Sequence, residues 1–368
     1  MPIPFTPQDL SAWVPVLLGR TPVRVLEPSA ADALRGRTVL VTGGGGSIGS
    51  ALCRQIAACA PARLVVFDIA ENPVYDLQNE LLRRHGSALP LSAEIGSVRD
   101  ERRLDAVFRR YRPQIVFHAA AHKHVPLMED APGEAVKNNV FGTYATAAAA
   151  RRHGTEKFVL ISTDKAVRPS GVMGATKNLC EQMLQALHDE GGTTFTAVRF
   201  GNVLGSCGSV LPLFCRQIAD GGPVTITDVR ATRYFMTVEE AVQLVLEAAA
   251  CAKNGEICVL DMGGPVRVLD LAERTIRLCG RTPHTDIRIV QTGLRPGEKL
   301  YEQPLTADAG LRRTANDRIF IERRPAVPEQ QLMQWLERLR AAVDTEDPAA
   351  VKAVLHALVP TYRAAEAE

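Results

Sequence analysis

The sequence predicts an α/β protein built on a doubly wound parallel sheet, followed by a smaller α/β lobe. Short apolar segments rich in β-branched residues alternate with longer helical patterns from Arg37 to about Arg199. This alternation becomes less regular after Gly201. Such alternation is typical of parallel strands joined by helical crossovers, and ligands of such sheets bind at the carboxyl ends of the strands. The predicted strands are Thr38–Val41, Leu64–Phe67, Gln114–His118, Phe158–Ser162 and Phe195–Val198.

The chain divides into four parts on these patterns. Residues 1–36, with Trp13, Leu17 and Leu18 among prolines, are expected to form an arm packed on the main body. Residues 37–200 form the sheet domain, and residues 201–330 form mainly the second lobe, with some segments returning to the sheet. Residues 331–368 are a helical tail. The later elements are expected at Val238–Ala250 (helix), Ile257–Leu260 (strand) and Leu269–Cys279 (helix).

Composition and charge exclude several classes of function. Hydrophobic residues make up 46% and charged residues 23% of the 368 residues, as in ordinary folded proteins. The net charge is +2 and the basic residues are scattered along the sequence, so the sequence predicts no basic patch that would bind nucleic acid or an anionic membrane. No segment approaches the roughly 18 apolar residues of a membrane span. The eight cysteines form no CxxC pair, so we expect reduced thiols and a cytoplasmic protein, without a metal site.

A glycine cluster marks a candidate dinucleotide site. Gly43, Gly46 and Gly49, with Ser47 and Ile48, follow the first predicted strand and open a helix. Glycine lets the backbone turn tightly and approach a pyrophosphate, whose charge then lies at the helix N-terminus.

An acidic residue at the end of the second predicted strand completes this pattern. Asp68 can accept both ribose hydroxyls and repel a 2′-phosphate, so NAD is favoured and NADP is the alternative. The other interpretation is a flexible glycine turn with Asp68 as a helix cap, which the order of strand, glycines, helix, strand and acid disfavours.

The glycine spacing, together with Asn139–Thr143, resembles the extended short-chain dehydrogenase/reductase family, which has a Rossmann fold. That family normally carries Tyr-x-x-x-Lys, because the lysine lowers the phenol's pKa from about 10. None of the six tyrosines here has a lysine four residues later. The expected position has Met173 and Lys177, so the lysine is kept and the phenol is replaced by a thioether.

With this departure from the usual motif, the sequence is similar to the CapD-like polysaccharide-biosynthesis proteins, the UDP-N-acetylglucosamine 4,6-dehydratases. The motifs that carry the resemblance are long and occur in one order along nearly the whole chain. They are Phe117–Glu129, Ser162–Val167, Val172–Lys177, Arg199–Ser206, Arg233–Thr237 and Gly293–Lys299.

The resemblance implies a reaction in three steps. A hydride leaves C4, water is eliminated across C5 and C6, and the hydride returns to C6. We expect Asp164 to be the acid at C6 and Lys165 to help at C5, although these two assignments could be exchanged. Thr163 would relay the C4 proton in place of the phenol, and Lys177 would hold the nicotinamide ribose. Ala119 is expected beside the cofactor.

Two of these assignments have simpler alternatives. Asp164 and Lys165 could be an ordinary surface ion pair at a strand end, since exposed charges are common there. Met173, counted with the catalytic group because it replaces the phenol, could equally fill the core, because a thioether fills gaps well.

The resemblance also suggests residues that bind the UDP-sugar substrate. Asn202 should hydrogen-bond the diphosphate or the acetamido region, and the guanidinium of Arg295 matches phosphate oxygens. Arg233 is a weaker candidate for the same task, and Glu298 lies in the same motif as Arg295. Lys123 and His124 could border the sugar, or they could belong to a solvated loop.

Two rival functions remain open at this point. A UDP-sugar epimerase would share the fold and cofactor but would lack elimination. A sensor that binds a dinucleotide or UDP-sugar without catalysis is the other, although the retained Thr163, Asp164, Lys165 and Lys177 disfavour it. We expect a homo-oligomer, with a dimer through helices flanking the sheet as the default.

Overall fold

The structure is a computed structural model that describes residues 7–21, 27–187, 192–302, 310–325 and 327–363, with side chains from residue 12 onward. The strands of these residues are β1 (Thr38–Thr42), β2 (Arg63–Asp68), β3 (Leu91–Ile95), β4 (Ile115–His118), β5 (Lys157–Ile161), β6 (Thr194–Arg199), β7 (Asn202–Val203), β8 (Val224–Ile226), β9 (Thr232–Met236), β10 (Ile257–Leu260), β11 (Pro265–Arg267), β12 (Ile289–Gln291), β13 (Arg312–Arg313) and β14 (Ile319–Glu322).

The α-helices begin and end close to the apolar patterns in the sequence. They are α1 (Pro7–Leu18), α2 (Pro28–Leu34), α3 (Ser47–Ala58), α4 (Glu71–His85), α5 (Glu101–Tyr111), α6 (Val125–Asp130), α7 (Pro132–Ala135), α8 (Gly142–Arg152), α9 (Val172–Ala186), α10 (Val210–Ala219), α11 (Val238–Cys251), α12 (Val268–Leu278), α13 (Glu329–Asp344) and α14 (Pro348–Leu358). A π-helical turn at Val136–Phe141 separates α7 from α8.

The main sheet has the order β13-β14-β10-β6-β5-β4-β1-β2-β3. The strands from β3 to β10 in this order are parallel to their neighbours, and β14 and β13 add an antiparallel edge. The strand order reverses between β1 and β4, which is where doubly wound sheets bind ligands at the carboxyl ends of their strands. The predicted fold class, a doubly wound α/β sheet with a second lobe, is therefore confirmed.

Alternate residues of the strands face two helical layers. Leu40 and Phe158 belong to a core with helices α5, α8, α9, α13 and α14. Val41 and Val159 belong to the opposite core with α2, α3, α4 and α11. The sheet is therefore covered on both faces, as its continuous apolar strands require.

Several elements were absent from the sequence prediction, and β3 and α10 show why. Strand β3 is an edge strand whose segment carries Ser92 and Glu94, so it lacks the apolar run of the central strands. Helix α10 contains Pro212, a residue that normally ends a helix but is tolerated here because it lies in the first turn.

The second lobe has its own core around α10, α12 and β8, with two small sheets of order β11-β9-β7 and β12-β8. Helix α1 packs on this lobe through Val14, Leu17 and Leu18. Helices α13 and α14 pack instead on the layer that contains α9. Among the described residues, no helix is both long enough and apolar enough to cross a bilayer.

Candidate active site

The glycine loop between β1 and α3 has no room for side chains. Gly43 has φ +69°, and a Cβ there would lie 2.5 Å from the Ala120 backbone nitrogen. A Cβ on Gly49 would lie 2.0 Å from the carbonyl oxygen of Gly43. Ala119 and Ala120 follow β4, so the loop lies directly against the end of the neighbouring strand. This close packing explains why both positions are glycine.

The N-terminus of α3 is open to an anion. Gly46 is its N-cap and supplies no capping side chain, so the first amide groups at Ser47 and Ile48 keep their partial positive charge. The Ser47 hydroxyl accepts a hydrogen bond from the Cys207 backbone amide of the second lobe at 2.9 Å. The residues present therefore fit a pyrophosphate at this position.

Asp68 is fixed at the end of β2 beside this loop. Its two carboxylate oxygens accept hydrogen bonds from the backbone amides of Gly45 and Ala70, each at 2.9 Å. Each oxygen keeps a further lone pair, so the carboxylate can still accept the hydroxyls of a ribose. The geometry fits a dinucleotide along the β1–β2 edge.

Thr163, Asp164 and Lys165 lie together just beyond the end of β5. The Thr163 hydroxyl donates to Asp164 Oδ1 at 2.8 Å, and Lys165 Nζ donates to the same oxygen at 3.0 Å. Only 3% of the Asp164 side chain is exposed, so this is a buried group and not a surface ion pair.

The second oxygen of Asp164 is unusual. Asp164 Oδ2 is buried and has no hydrogen-bond partner among the described residues. A Cβ on Gly201 would lie 3.0 Å from it, so glycine leaves space at this point. A buried polar atom without a partner needs an explanation, and a substrate hydroxyl would supply one.

Lys177 and Met173 lie on the same helix, α9, in different surroundings. Lys177 is buried, and its ammonium has no hydrogen-bond or ion-pair partner in the part of the chain that the structure describes. Burial lowers the pKa of Lys177 below its usual value, against the opposing effect of Glu181. Met173 packs in the hydrophobic core.

A buried ionic network fixes α9 relative to β5 and β6. The Arg199 guanidinium donates to both oxygens of Glu181, at 2.7 and 2.5 Å, and both side chains are fully buried. The Ser162 hydroxyl donates to the same carboxylate at 2.6 Å. Because Ser162 immediately precedes Thr163, the network connects the catalytic candidates on the strand end with those on α9.

An open cleft lies between the β5 end and the second lobe. It brings together four of the predicted residues, which are Lys165, Asn202, Arg233 and Glu298. Lys165 Nζ donates to Asn202 Oδ1 at 3.3 Å across this cleft. The remaining lining residues are Val125, Ser170, Gly171, Gly174, Gly297, Lys299 and Glu302.

Arg295 and Arg233 lie in different surroundings. Arg295 donates to Glu298 Oε1 at 2.6 Å, and 58% of its side chain is exposed, so it is available to a ligand at the cleft mouth. Arg233 donates to the backbone carbonyls of Thr232 and Leu300. Its guanidinium is thus engaged in holding the lobe.

Lys123 and His124 are exposed in the loop after β4. Lys123 donates to the Cys207 carbonyl oxygen at 2.8 Å, and a Cβ on Gly208 would lie 2.7 Å from the His124 ring. Partial desolvation, together with the positive charges of Lys123 and Arg295, lowers the pKa of His124. The loop therefore contacts the second lobe.

Two further polar groups were absent from the sequence prediction. Glu302 is buried in the cleft wall, and the motif match had ended three residues earlier, at Lys299. His118, at the end of β4, lies between the hydroxyls of Thr42 and Thr143, at 2.7 and 3.0 Å. His118 could have been found from the sequence, because it is a histidine at the end of a buried strand.

No metal site is evident in the described ranges, where no group of three or more His, Cys, Asp or Glu side chains is placed to hold an ion. The fold, the glycine loop and the buried polar group at the end of β5 define a Rossmann-fold protein of the extended short-chain dehydrogenase/reductase type. Residues 39–324 match the family model described as "Polysaccharide biosynthesis protein". The chain therefore belongs to this family, with CapD-like relatives.

The curated relatives agree with this placement. A probable polysaccharide biosynthesis protein EpsC of Bacillus subtilis is 51% identical over 289 residues, which is 78% of this chain and 48% of the relative. The chain thus spans about half the length of that relative. A UDP-N-acetylglucosamine 4,6-dehydratase (inverting) of Campylobacter jejuni is 32% identical over 74% of this chain and 78% of the relative. A UDP-glucose 4-epimerase of Rickettsia rickettsii is 33% identical over the same shares.

A solved structure shows the same fold. The X-ray structure of Pen from Bacillus thuringiensis is 32% identical, with a TM-score of 0.72, and the match covers 84% of this chain and 99% of that one. These comparisons support an enzyme related to nucleotide-sugar dehydratases and epimerases.

Proposed function

We propose that this chain catalyses the 4,6-dehydration of a UDP-N-acetylhexosamine, with UDP-N-acetylglucosamine as the preferred substrate, to a UDP-4-keto-6-deoxy sugar for glycan biosynthesis. The observation that carries the proposal is the Asp164–Lys165 pair, in which Asp164 is buried and Lys165 lines a cleft. Elimination of water needs both an acid and a base beside the sugar, whereas C4 epimerisation needs only the group that handles the C4 proton.

NAD is the proposed cofactor. Gly43, Gly46 and Gly49 leave room for the pyrophosphate, and Asp68 favours a free ribose 2′-hydroxyl over a 2′-phosphate. When bound, the nicotinamide supplies reversible hydride chemistry between C4 and C6 of the sugar. Lys177, whose side chain is largely buried on α9, would hold the nicotinamide ribose.

The catalytic side chains act on protons. Thr163 would take the C4 hydroxyl proton and pass it to Asp164, with which it is already hydrogen-bonded. Asp164 would donate to the leaving C6 hydroxyl, and Lys165 would remove the C5 proton in its free-amine form. The exchanged assignment, with Lys165 as the acid and Asp164 as the base, uses the same two side chains.

The nucleotide part of the substrate would lie along the mouth of the cleft. Arg295 is exposed there and presents a planar fork suited to phosphate oxygens, with Glu298 orienting it. Lys123 and His124 would border the sugar, and Asn202 would contact the diphosphate or acetamido region. Arg233 would contribute to substrate binding indirectly, by holding the backbone of the second lobe in place.

One incubation tests the proposal. The full chain is mixed with UDP-N-acetylglucosamine and NAD in deuterated water and followed by mass spectrometry and proton NMR. Loss of one water with deuterium at C5 is the expected result. An isomer of unchanged mass would establish the epimerase instead, the alternative that the Rickettsia relative favours. Binding without any conversion would establish the sensor.

Two further features are proposed with this function. We expect the enzyme to act in the cytoplasm, because we expect it to meet its nucleotide-sugar substrate there. A homo-oligomer, with a dimer through helices beside the sheet, stays a prediction. Analytical ultracentrifugation measures it directly.

A further inference from the structure

Glu302 is a buried carboxylate in the wall of the cleft, contributed by the second lobe. Only 4% of its side chain is exposed. Its Oε1 atom lies 3.6 Å from Lys165 Nζ and 3.8 Å from Arg233 Nε. A buried carboxylate is costly unless it is paired, so these two cations account for its presence.

Lys165 is surrounded by as many acceptors as an ammonium has protons. An ammonium has three donors and no acceptor. The Lys165 group faces Asp164 Oδ1 at 3.0 Å, Asn202 Oδ1 at 3.3 Å and Glu302 Oε1 at 3.6 Å. Asp164 is the neighbour in sequence, whereas Glu302 approaches from the other lobe. The charged form of the amine is thus held from two sides of the cleft.

We propose that Glu302 is a positioning residue of the active site, which holds the Lys165 ammonium at the cleft through an ion pair from the second lobe. The role of Lys165 in catalysis rests on the proposed function, but the ion pair does not. Glu302 lies outside the motifs that suggested the other site residues.

The charges around Lys165 determine in which direction its pKa changes when Glu302 is removed. Burial lowers the pKa of Lys165, but Asp164 and Glu302 outweigh burial and raise it above its usual value, while Arg233 opposes them. Lys299 also faces this group and opposes its charge. Removing Glu302 leaves burial and both cations in place, so the pKa of Lys165 must fall.

Chemical labelling tests the ion pair without relying on activity. The full-length protein and its Glu302→Gln variant are treated with acetic anhydride over a pH series, and Lys165 acetylation is quantified by mass spectrometry. We expect the midpoint for Lys165 to move down by about one pH unit or more. Lys352, which pairs with Glu129, serves as the internal reference. An unchanged Lys165 midpoint would overturn the proposal.

The pH dependence of kcat/KM with UDP-N-acetylglucosamine gives the catalytic readout. In Glu302→Gln, the limb that reports Lys165 should move to lower pH by a similar amount, and Glu302→Asp should restore part of the shift. Movement of the acid limb would identify Lys165 as a base, and movement of the alkaline limb would identify it as an acid. Glu298→Gln, in the same cleft but paired with Arg295, should change KM without moving either limb.

The outcomes separate the two proposals. If the unmodified protein removes no water from UDP-N-acetylglucosamine, the proposed function fails while the labelling result still decides on Glu302. If Glu302→Gln is folded by circular dichroism and less active, but both pH limbs and the labelling midpoint stay in place, Glu302 is only a structural residue and the inference is wrong.

Discussion

His118 makes the stability of this fold sensitive to mild acid. The imidazole is fully buried between Thr42 and Thr143, and burial lowers its pKa from 6.5 to about 3, with a smaller contribution from Lys177. The folded state therefore keeps this ring neutral at pH values where the unfolded chain protonates it. Stability must fall as the pH drops below about 6.5, and the loss levels off below about 3.

The size of the effect follows from these two values. At pH 5, about 1.5 units below the pKa of histidine in the unfolded chain, protonation stabilises the unfolded state but not the folded state. Each unit of this difference corresponds to about 1.36 kcal/mol. The contribution is nearly absent at pH 7, so His118 alone should cost about 2 kcal/mol between pH 7 and pH 5.

The assay is urea unfolding followed by circular dichroism at both pH values. His118→Gln keeps one donor and one acceptor for the two threonines but does not titrate, so its stability difference between pH 7 and pH 5 should be smaller by about 2 kcal/mol. His356→Gln replaces an exposed histidine and should keep the wild-type difference to within about 0.5 kcal/mol. Equal pH dependence in the wild type and His118→Gln would refute the reasoning.

Three further predictions concern the ligands. Gly43→Ala places a Cβ against the Ala120 backbone at a positive φ, so calorimetric titration should show NAD binding weakened more than about tenfold, whereas Gly264→Ala, with open space around it, should bind normally. Asp164→Asn should abolish product while NAD still binds, and unchanged turnover would remove its catalytic role. Arg295→Ala should raise KM for the UDP-sugar about tenfold or more while changing kcat less, and the reverse pattern in steady-state kinetics would contradict a phosphate contact.

The central sheet could be predicted because its strands carry continuous apolar runs. Leu64–Phe67 and Phe195–Val198 lie inside β2 and β6, and Ile257–Leu260 coincides with β10. The antiparallel edge formed by β13 and β14 could not, because β13 consists of only two exposed arginines and β14 of only four residues, and such short segments resemble loops in sequence. Pairing with β10 is a property of the assembled sheet and not of the local segment.

The candidate site was predictable only where chain order places side chains at strand ends. Thr163, Asp164 and Lys165 follow β5 directly, so the rule that ligands bind at the carboxyl ends of parallel strands locates them from the sequence alone. Glu302 comes from a lobe turn that reaches Lys165 through tertiary packing, and no periodicity in the sequence reports that contact. The opposite surroundings of Arg233 and Arg295 were hidden for the same reason, since burial and exposure are decided by neighbours distant in the chain.

The arrangement at the β5 end also suggests how the chemistry proceeds without a phenol. Met173 lies in the core and carries no proton, whereas the Thr163 hydroxyl is already hydrogen-bonded to Asp164. In the proposed reaction, the proton from the C4 hydroxyl passes through Thr163 to Asp164 and leaves with the C6 hydroxyl as water. Lys165 can take the C5 proton only as the free amine, after its ammonium has lost a proton. In that form it accepts the C5 proton and returns a proton to C5, so both side chains end the cycle as they began. One carboxylate then serves oxidation and elimination together, and for this reason Asp164→Asn should stop the reaction before C4 is oxidised.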